Sequence, residues 1–258
     1  MSCYAEDVIK VARAEKGYLE KASKSDLDSK TDNAGDKNYT KYARDLDKIS
    51  GFYNGRKNGV AWCDVFVDWC FVQAFGVANA KRLLCQPNKS CGAGCKYSMQ
   101  YYKNKGRLVS SPKPGDQIFF TSSDGSSISH TGLVYKVDSK YVYTVEGNTS
   151  SESGVIPNGG AVAEKKYSLS YERIAGYGRP AYDTKTNAEE SQVTEEPKQE
   201  TQKTDDYQCI HTVVQGNTLW SIATKYLGRG KRFREIMELN GMTSTKIIPG
   251  DKIKIPKK

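Results

Sequence analysis

His130-Thr131-Gly132-Leu133-Val134-Tyr135-Lys136-Val137-Asp138-Ser139-Lys140-Tyr141-Val142-Tyr143-Thr144-Val145-Glu146-Gly147-Asn148 is the stretch that decides the fold. Two runs rich in β-branched and aromatic residues flank Asp138-Ser139-Lys140, which has the composition of a turn. An antiparallel hairpin follows. If Val137 opposes Tyr141, the register sets His130 opposite Asn148, with Glu146 two residues away on the same face. A shift of two would put Glu146 opposite His130 instead. A slip of one would turn both polar residues to the wrong face.

On either side of this hairpin, further short β-rich runs at 117–120, 161–167 and 174–178 are separated by Gly, Asn, Asp or Ser. Before Pro112 the pattern is helical. Val8, Ile9, Ala12 and Leu19 suggest one amphipathic segment, and 39–49 and 94–104 read as helices. The clearest helix is 63–75, where Phe66, Val67, Cys70, Phe71 and Ala74 recur at helical spacing and Gly76 supplies a stop. Helices first and strands second predict an α+β domain with an antiparallel sheet.

The chain contains two histidines, His130 and His211. Residues 183–206 lie between them and are almost devoid of large apolar side chains, so this segment reads as a flexible acidic linker. The expected units are 1–182 and 207–258. Scarcity makes His130 the histidine of the first unit. Cys63 begins the strongest helix, where unpaired N–H groups and the macrodipole favour a thiolate and can stabilise an oxyanion. Trp62 and the glycines before it fit a groove wall beside that thiol. A thiol at the helix start, with an imidazole and a carboxylate on one hairpin face, makes a nucleophile, a base and an orienting group. The plain alternatives are a buried structural cysteine, which Cys70 fits better, and a surface hairpin with a chance His and Glu.

The net charge is +9, distributed as +7 over 1–182, −5 over 183–206 and +7 over 207–258. Basic surfaces attract polyanions, and charge alone does not choose among nucleic acid, anionic lipid and wall polymers. No interleaved basic and aromatic motif supports nucleic-acid binding. No apolar run approaches the roughly 20 residues of a membrane span. The first residues lack a basic and apolar leader pattern, so no signal peptide is expected. Seven cysteines, an odd number scattered irregularly, read mostly as reduced thiols. Cys85, Cys91 and Cys95 lack a nearby fourth ligand for zinc.

Cys63 at a helix start, Ser129-His130-Thr131-Gly132-Leu133-Val134 and Val145-Glu146-Gly147-Asn148 together resemble a CHAP domain, a papain-like member of the NlpC/P60 group. Pro112-Lys113-Pro114-Gly115-Asp116-Gln117-Ile118 and Ala175-Gly176-Tyr177-Gly178-Arg179-Pro180 fit the same resemblance, which covers roughly 5–182. Trp62-Cys63-Asp64 departs from the common Gln-Cys-Thr form. The resemblance implies Cys63 as nucleophile, His130 as base, Glu146 as the orienting residue and Asn148 as an accessory polar group. Some relatives hold structural calcium on an acidic loop. The corresponding 50–57 here is basic, so neither metal nor cofactor is expected.

In the last unit, Gln215-Gly216-Asn217-Thr218-Leu219-Trp220 and Ile248-Pro249-Gly250-Asp251 resemble a LysM module of strand, helix, helix and strand. Asn217 stands where Asp is commoner, and either Asn217 or Thr218 can cap the first helix. The resemblance implies binding of N-acetylglucosamine-containing glycan through Gly216, Asn217, Thr218, Leu219, Ile247, Ile248 and Pro249. Trp220 could be core or sugar platform. Most apolar positions of the unit are simply its core.

These readings predict a peptidoglycan amide hydrolase of endolysin type, with the muramoyl–alanine amide favoured. A wall endopeptidase or a bacterial autolysin is the alternative, and a non-catalytic wall-binding protein a third. The expected partner is peptidoglycan, with no nucleic acid and no membrane insertion, for a monomer. The expected route is from the host cytoplasm to the wall after holin-type release, or secretion by a non-classical path.

Overall fold

The computed structural model describes residues 2–184, 207–214, 216–240, 242, 244–245, 247–248 and 251–257. The chain forms two compact units, 1–185 and 186–258. From residue 185 onward the expected acidic connector lies outside the described residues.

The first unit opens with three helices, α1 (Ala5–Ala14), α2 (Lys41–Asp47) and α3 (Cys63–Leu83). The helix α3 is broken at Gly76, whose φ of 73° and ψ of 164° leave helical space. A glycine can adopt this at little cost, so the stop expected at Gly76 becomes a kink from which helix resumes. A fourth helix, α4 (Cys95–Asn104), precedes the sheet.

Six strands follow: β1 (Leu108–Val109), β2 (Gln117–Thr121), β3 (Ile128–Val137), β4 (Tyr141–Thr149), β5 (Ala161–Ser168) and β6 (Ile174–Gly178). They form one antiparallel sheet in the order β1-β6-β2-β3-β4-β5. The two-residue β1 is too short to carry a periodic signal, and it is absent from the sequence reading.

The sheet alternates as strand geometry requires. Phe119, Leu133 and Val145 join the core built on α1, α3 and α4. Ile118, Phe120, Val134, Val142, Tyr167 and Tyr177 form a second apolar cluster on the other face, closed over by Val155. At the site end of the hairpin Leu133 pairs with Val145 and Val134 with Thr144. An irregularity at Tyr135 then shifts the pairing, so Val137 meets Val142 rather than Tyr141. The bulge absorbs one residue, which leaves the expected register intact where it matters for the site.

The second unit contains β7 (Tyr207–Thr212), α5 (Leu219–Leu227), a short 3-10 turn (Gly230–Arg232), α6 (Phe233–Leu239) and β8 (Lys252–Pro256). β7 and β8 pair antiparallel. Its own core holds Val213, Leu219, Ile222, Ala223, Leu227, Ile236, Ile253 and Ile255.

Candidate active site

Cys63 is the first residue of α3, and its thiol is buried. The helix start is fixed from beneath by Asp64. Its fully buried carboxyl group accepts from Ser98 Oγ on α4 at 2.8 Å and from Gln117 Nε2 on β2 at 3.0 Å. Gln117 Nε2 also donates to Thr131 Oγ1 at 3.1 Å, and Thr131 donates to the Ile118 carbonyl at 2.7 Å. This polar chain ties the Cys63 helix to the strand that carries His130. Burial pushes the Asp64 carboxyl up to about 6.

Cys95, at the start of α4, neighbours the Cys63 thiol, and Cys95 Sγ donates to the Ile128 carbonyl at 3.4 Å. Ile128 is two residues from His130 on β3. This contact and burial hold the Cys63 thiol well above its ordinary range. Nearby Asp64 adds to the effect through its charge, while the Asp64 backbone N–H works the other way. The helix-terminus contribution expected from sequence is therefore present, but the thiol neighbour and burial outweigh it.

His130 is fully buried and stacks on Phe120, on the face of β3 opposite Thr131. Its Nε2 lies 2.9 Å from Glu146 Oε2. A carboxylate only accepts, so Nε2 carries the proton and Nδ1 presents its lone pair. Nδ1 is buried and has no hydrogen-bond partner. No hydrogen bond joins it to Cys63 Sγ among the described residues, so the expected pair is brought to one end of the sheet without being closed. Glu146 is held by two further donors, Thr144 Oγ1 on Oε1 and Tyr167 OH on Oε2 at 3.2 Å.

Two glycines make this packing fit. A Cβ at Gly132 would lie 2.5 Å from Glu146 Cγ. A Cβ at Gly147 would lie 2.5 Å from Phe66 Cβ and 2.8 Å from Trp62 Cζ3. The first turn of α3 thus abuts β4 one residue from Glu146.

Asn148 is buried in a left-handed conformation, φ 54°, at an interruption of the β4–β5 pairing. Its side chain bonds Asn38 Oδ1 at 3.4 Å and the Gly160 N–H at 3.3 Å, not His130. It anchors the loop before β5. Trp62 corrects the sequence reading. It is fully buried, donates from Nε1 to Glu20 Oε2 at 2.8 Å, and packs against Tyr42 and Tyr18. The aromatic core beneath the helix start claims the indole, so it lines no open groove.

In the second unit Thr218 caps α5, with Ser221 N–H donating to its Oγ1 at 3.1 Å. Asn217 Oδ1 instead receives the Val214 N–H at 3.2 Å and lies 2.7 Å from His211 Nε2. Gly216 turns at φ 87°. Leu219 is a second correction, because its side chain is buried in the core and offers no ligand surface. Ile247 packs against that core, whereas Ile248 is exposed. Pro249 lies outside the described residues. Trp220 is 52% exposed, with its ring against Gly230 and near Phe233.

Residues 55–148 match the family model of the CHAP domain, and 211–256 match that of the LysM domain. The chain carries a CHAP domain and a LysM domain. The CHAP match spans Cys63, His130, Glu146 and Asn148, and it stops before β5. Five solved chains match, among them the crystal structure of Ly7917, at 13% identity and a TM-score of 0.40. That match covers 68% of this chain and 62% of the other, so the chain spans less than two thirds of it. No curated protein matches the chain.

Sequence reasoning gave no site role to Cys95, weighed only as a zinc ligand, nor to Ser98, Gln117 and Tyr167. Cys95 had the signal that singled out Cys63, a cysteine at a helix start. Tyr167 required the β4–β5 register, which no local motif announces.

Proposed function

We propose that this protein hydrolyses an amide bond of peptidoglycan with Cys63 as nucleophile, His130 as base and Glu146 as its orienting group. The observation that carries this reading is the buried His130–Glu146 pair with His130 Nδ1 left unpartnered, at the sheet end that receives the Cys63 helix. In the first step Nδ1 takes the thiol proton, and the sulfur forms a bond to the amide carbonyl carbon. The carbonyl becomes an oxyanion within reach of the N–H groups opening α3. Collapse breaks the C–N bond, and His130 gives its proton to the leaving amine. Water, deprotonated by His130, then cleaves the thioester and frees the thiol. Glu146 holds the imidazole tautomer throughout.

Within this reading the favoured bond is the muramoyl–alanine amide, and a stem or cross-bridge peptide bond is the second candidate. The LysM unit retains the enzyme on N-acetylglucosamine-containing glycan, and an endolysin setting with holin-type release suits the combination. Purified Gram-positive walls should lose turbidity with the protein and keep it with Cys63→Ala or His130→Ala, while both variants still sediment with the wall. Equal clearing by Cys63→Ala would sink the mechanism.

A further inference from the structure

We propose that Tyr167, on β5 and beyond the segment matched as CHAP, is a positioning residue for this reaction; the inference rests on the Cys63–His130–Glu146 reading. Tyr167 and Lys165 share a face of β5, and β5 pairs with β4 so that Val142 meets Tyr167 and Thr144 meets Lys165. Both side chains therefore lie on the strand face that carries Glu146. The Tyr167 hydroxyl is 3.2 Å from Glu146 Oε2, the same oxygen that meets His130 Nε2, and 3.3 Å from the Gly154 carbonyl. A phenol has one proton to donate, so these two acceptors compete for it. Its ring is fixed by Phe120 at 4.7 Å and Tyr171 at 5.3 Å, and Phe120 in turn stacks on His130.

The same strand grips the loop that competes for the proton. Lys165 Nζ donates to the Ser150 carbonyl at 3.0 Å and also to the Glu152 carbonyl. Burial and the nearby Glu146 keep the Tyr167 phenol protonated far above neutral pH, so it remains a donor under working conditions. With Thr144 on the other oxygen, the carboxyl group is held from both sides and cannot swing away from Nε2. A fixed Glu146 fixes the ring plane of His130, and so the direction of the Nδ1 lone pair.

Tyr167→Phe keeps the ring and removes only the donor. On a soluble muropeptide substrate kcat should fall on the order of tenfold, the rate equivalent of one hydrogen bond to a charged acceptor, with KM unchanged within about twofold. In a Glu146→Gln background the same change should cost nothing further. The second readout needs no activity. The His130 Nε2 proton, followed by NMR with ¹⁵N-labelled imidazole, should exchange with water on the order of tenfold faster in Tyr167→Phe. If that variant does not fold, 3-fluorotyrosine at position 167 retains packing and donor and should move the same resonance. Wild-type kcat and exchange in Tyr167→Phe, a loss additive with Glu146→Gln, or an unmoved resonance in the fluorinated protein each overturns the proposal. If the wild type proves inactive on every wall substrate, the hydrolase reading fails, and the exchange experiment still decides the role of Tyr167.

Discussion

At the residue scale, the protonation of the Cys63 thiol is set by competition between its neighbours. The Asp64 N–H favours the thiolate, whereas the Cys95 contact, burial and the Asp64 carboxyl favour the protonated form, which prevails. The Cys95 contribution is the largest, and it stabilises the protonated side. Removing it must therefore lower the pH at which the thiolate appears. Cys95→Ala should move the onset of Cys63 alkylation by iodoacetamide to lower pH, followed peptide by peptide in a mass spectrometer. An onset unchanged or moved upward would show that the Cys63–Cys95 contact does not govern the thiol. The identity of Cys63 as candidate was legible from its place at the start of an apolar helix. Its protonation balance was not, because Cys95 is 32 positions away and only the packing of α4 on α3 brings it close.

At the element scale, the β3–β4 hairpin was legible in composition and in register near the site. The anchor used to set that register was off by one, and the bulge at Tyr135 corrected it. Local pattern could not reveal the bulge, since Tyr135 suits a strand as well as its neighbours do. Pattern also missed why Gly132 and Gly147 are glycines. Each lies where another chain segment comes too close for a Cβ. Gly147→Ala would drive a methyl group into Phe66 and Trp62 and push the first turn of α3 off β4. Overpacking of this kind costs about 1–3 kcal/mol. The variant should melt several degrees lower and lose most wall-clearing activity. A variant with unchanged melting and clearing would mean that the α3–β4 contact does not hold the site. Trp62 and Leu219 show the converse limit. Each flanks a motif residue in sequence, but apolar burial claims both side chains.

At the scale of the whole molecule, two units with separate cores divide the work of the proposed function. Charge is the common feature, since the chain carries +9 overall and both flanking segments are basic. Their attraction for an anionic wall should weaken as salt shortens the screening length from about 10 Å at 0.1 M to about 3 Å at 1 M. Wall sedimentation should accordingly decline with added salt. Deleting residues 207–258 should slow clearing of whole walls on the order of tenfold or more by removing the local concentration effect. Turnover of a soluble muropeptide should be unaffected. Equal slowing on both substrates would mean that the LysM unit supports the fold rather than attachment. The module itself was legible almost entirely from Gly216-Asn217-Thr218-Leu219-Trp220, because capping and turn chemistry are local.

In the proposed function, Cys63 cleaves an amide bond of peptidoglycan. Mass spectrometry of muropeptides after digestion of purified walls tests it most directly. New free amino termini should appear, with the alanine released from muramic acid as the leading product, and should vanish with Cys63→Ala. Products bearing only new sugar ends, or new amino termini that persist in Cys63→Ala, would contradict it.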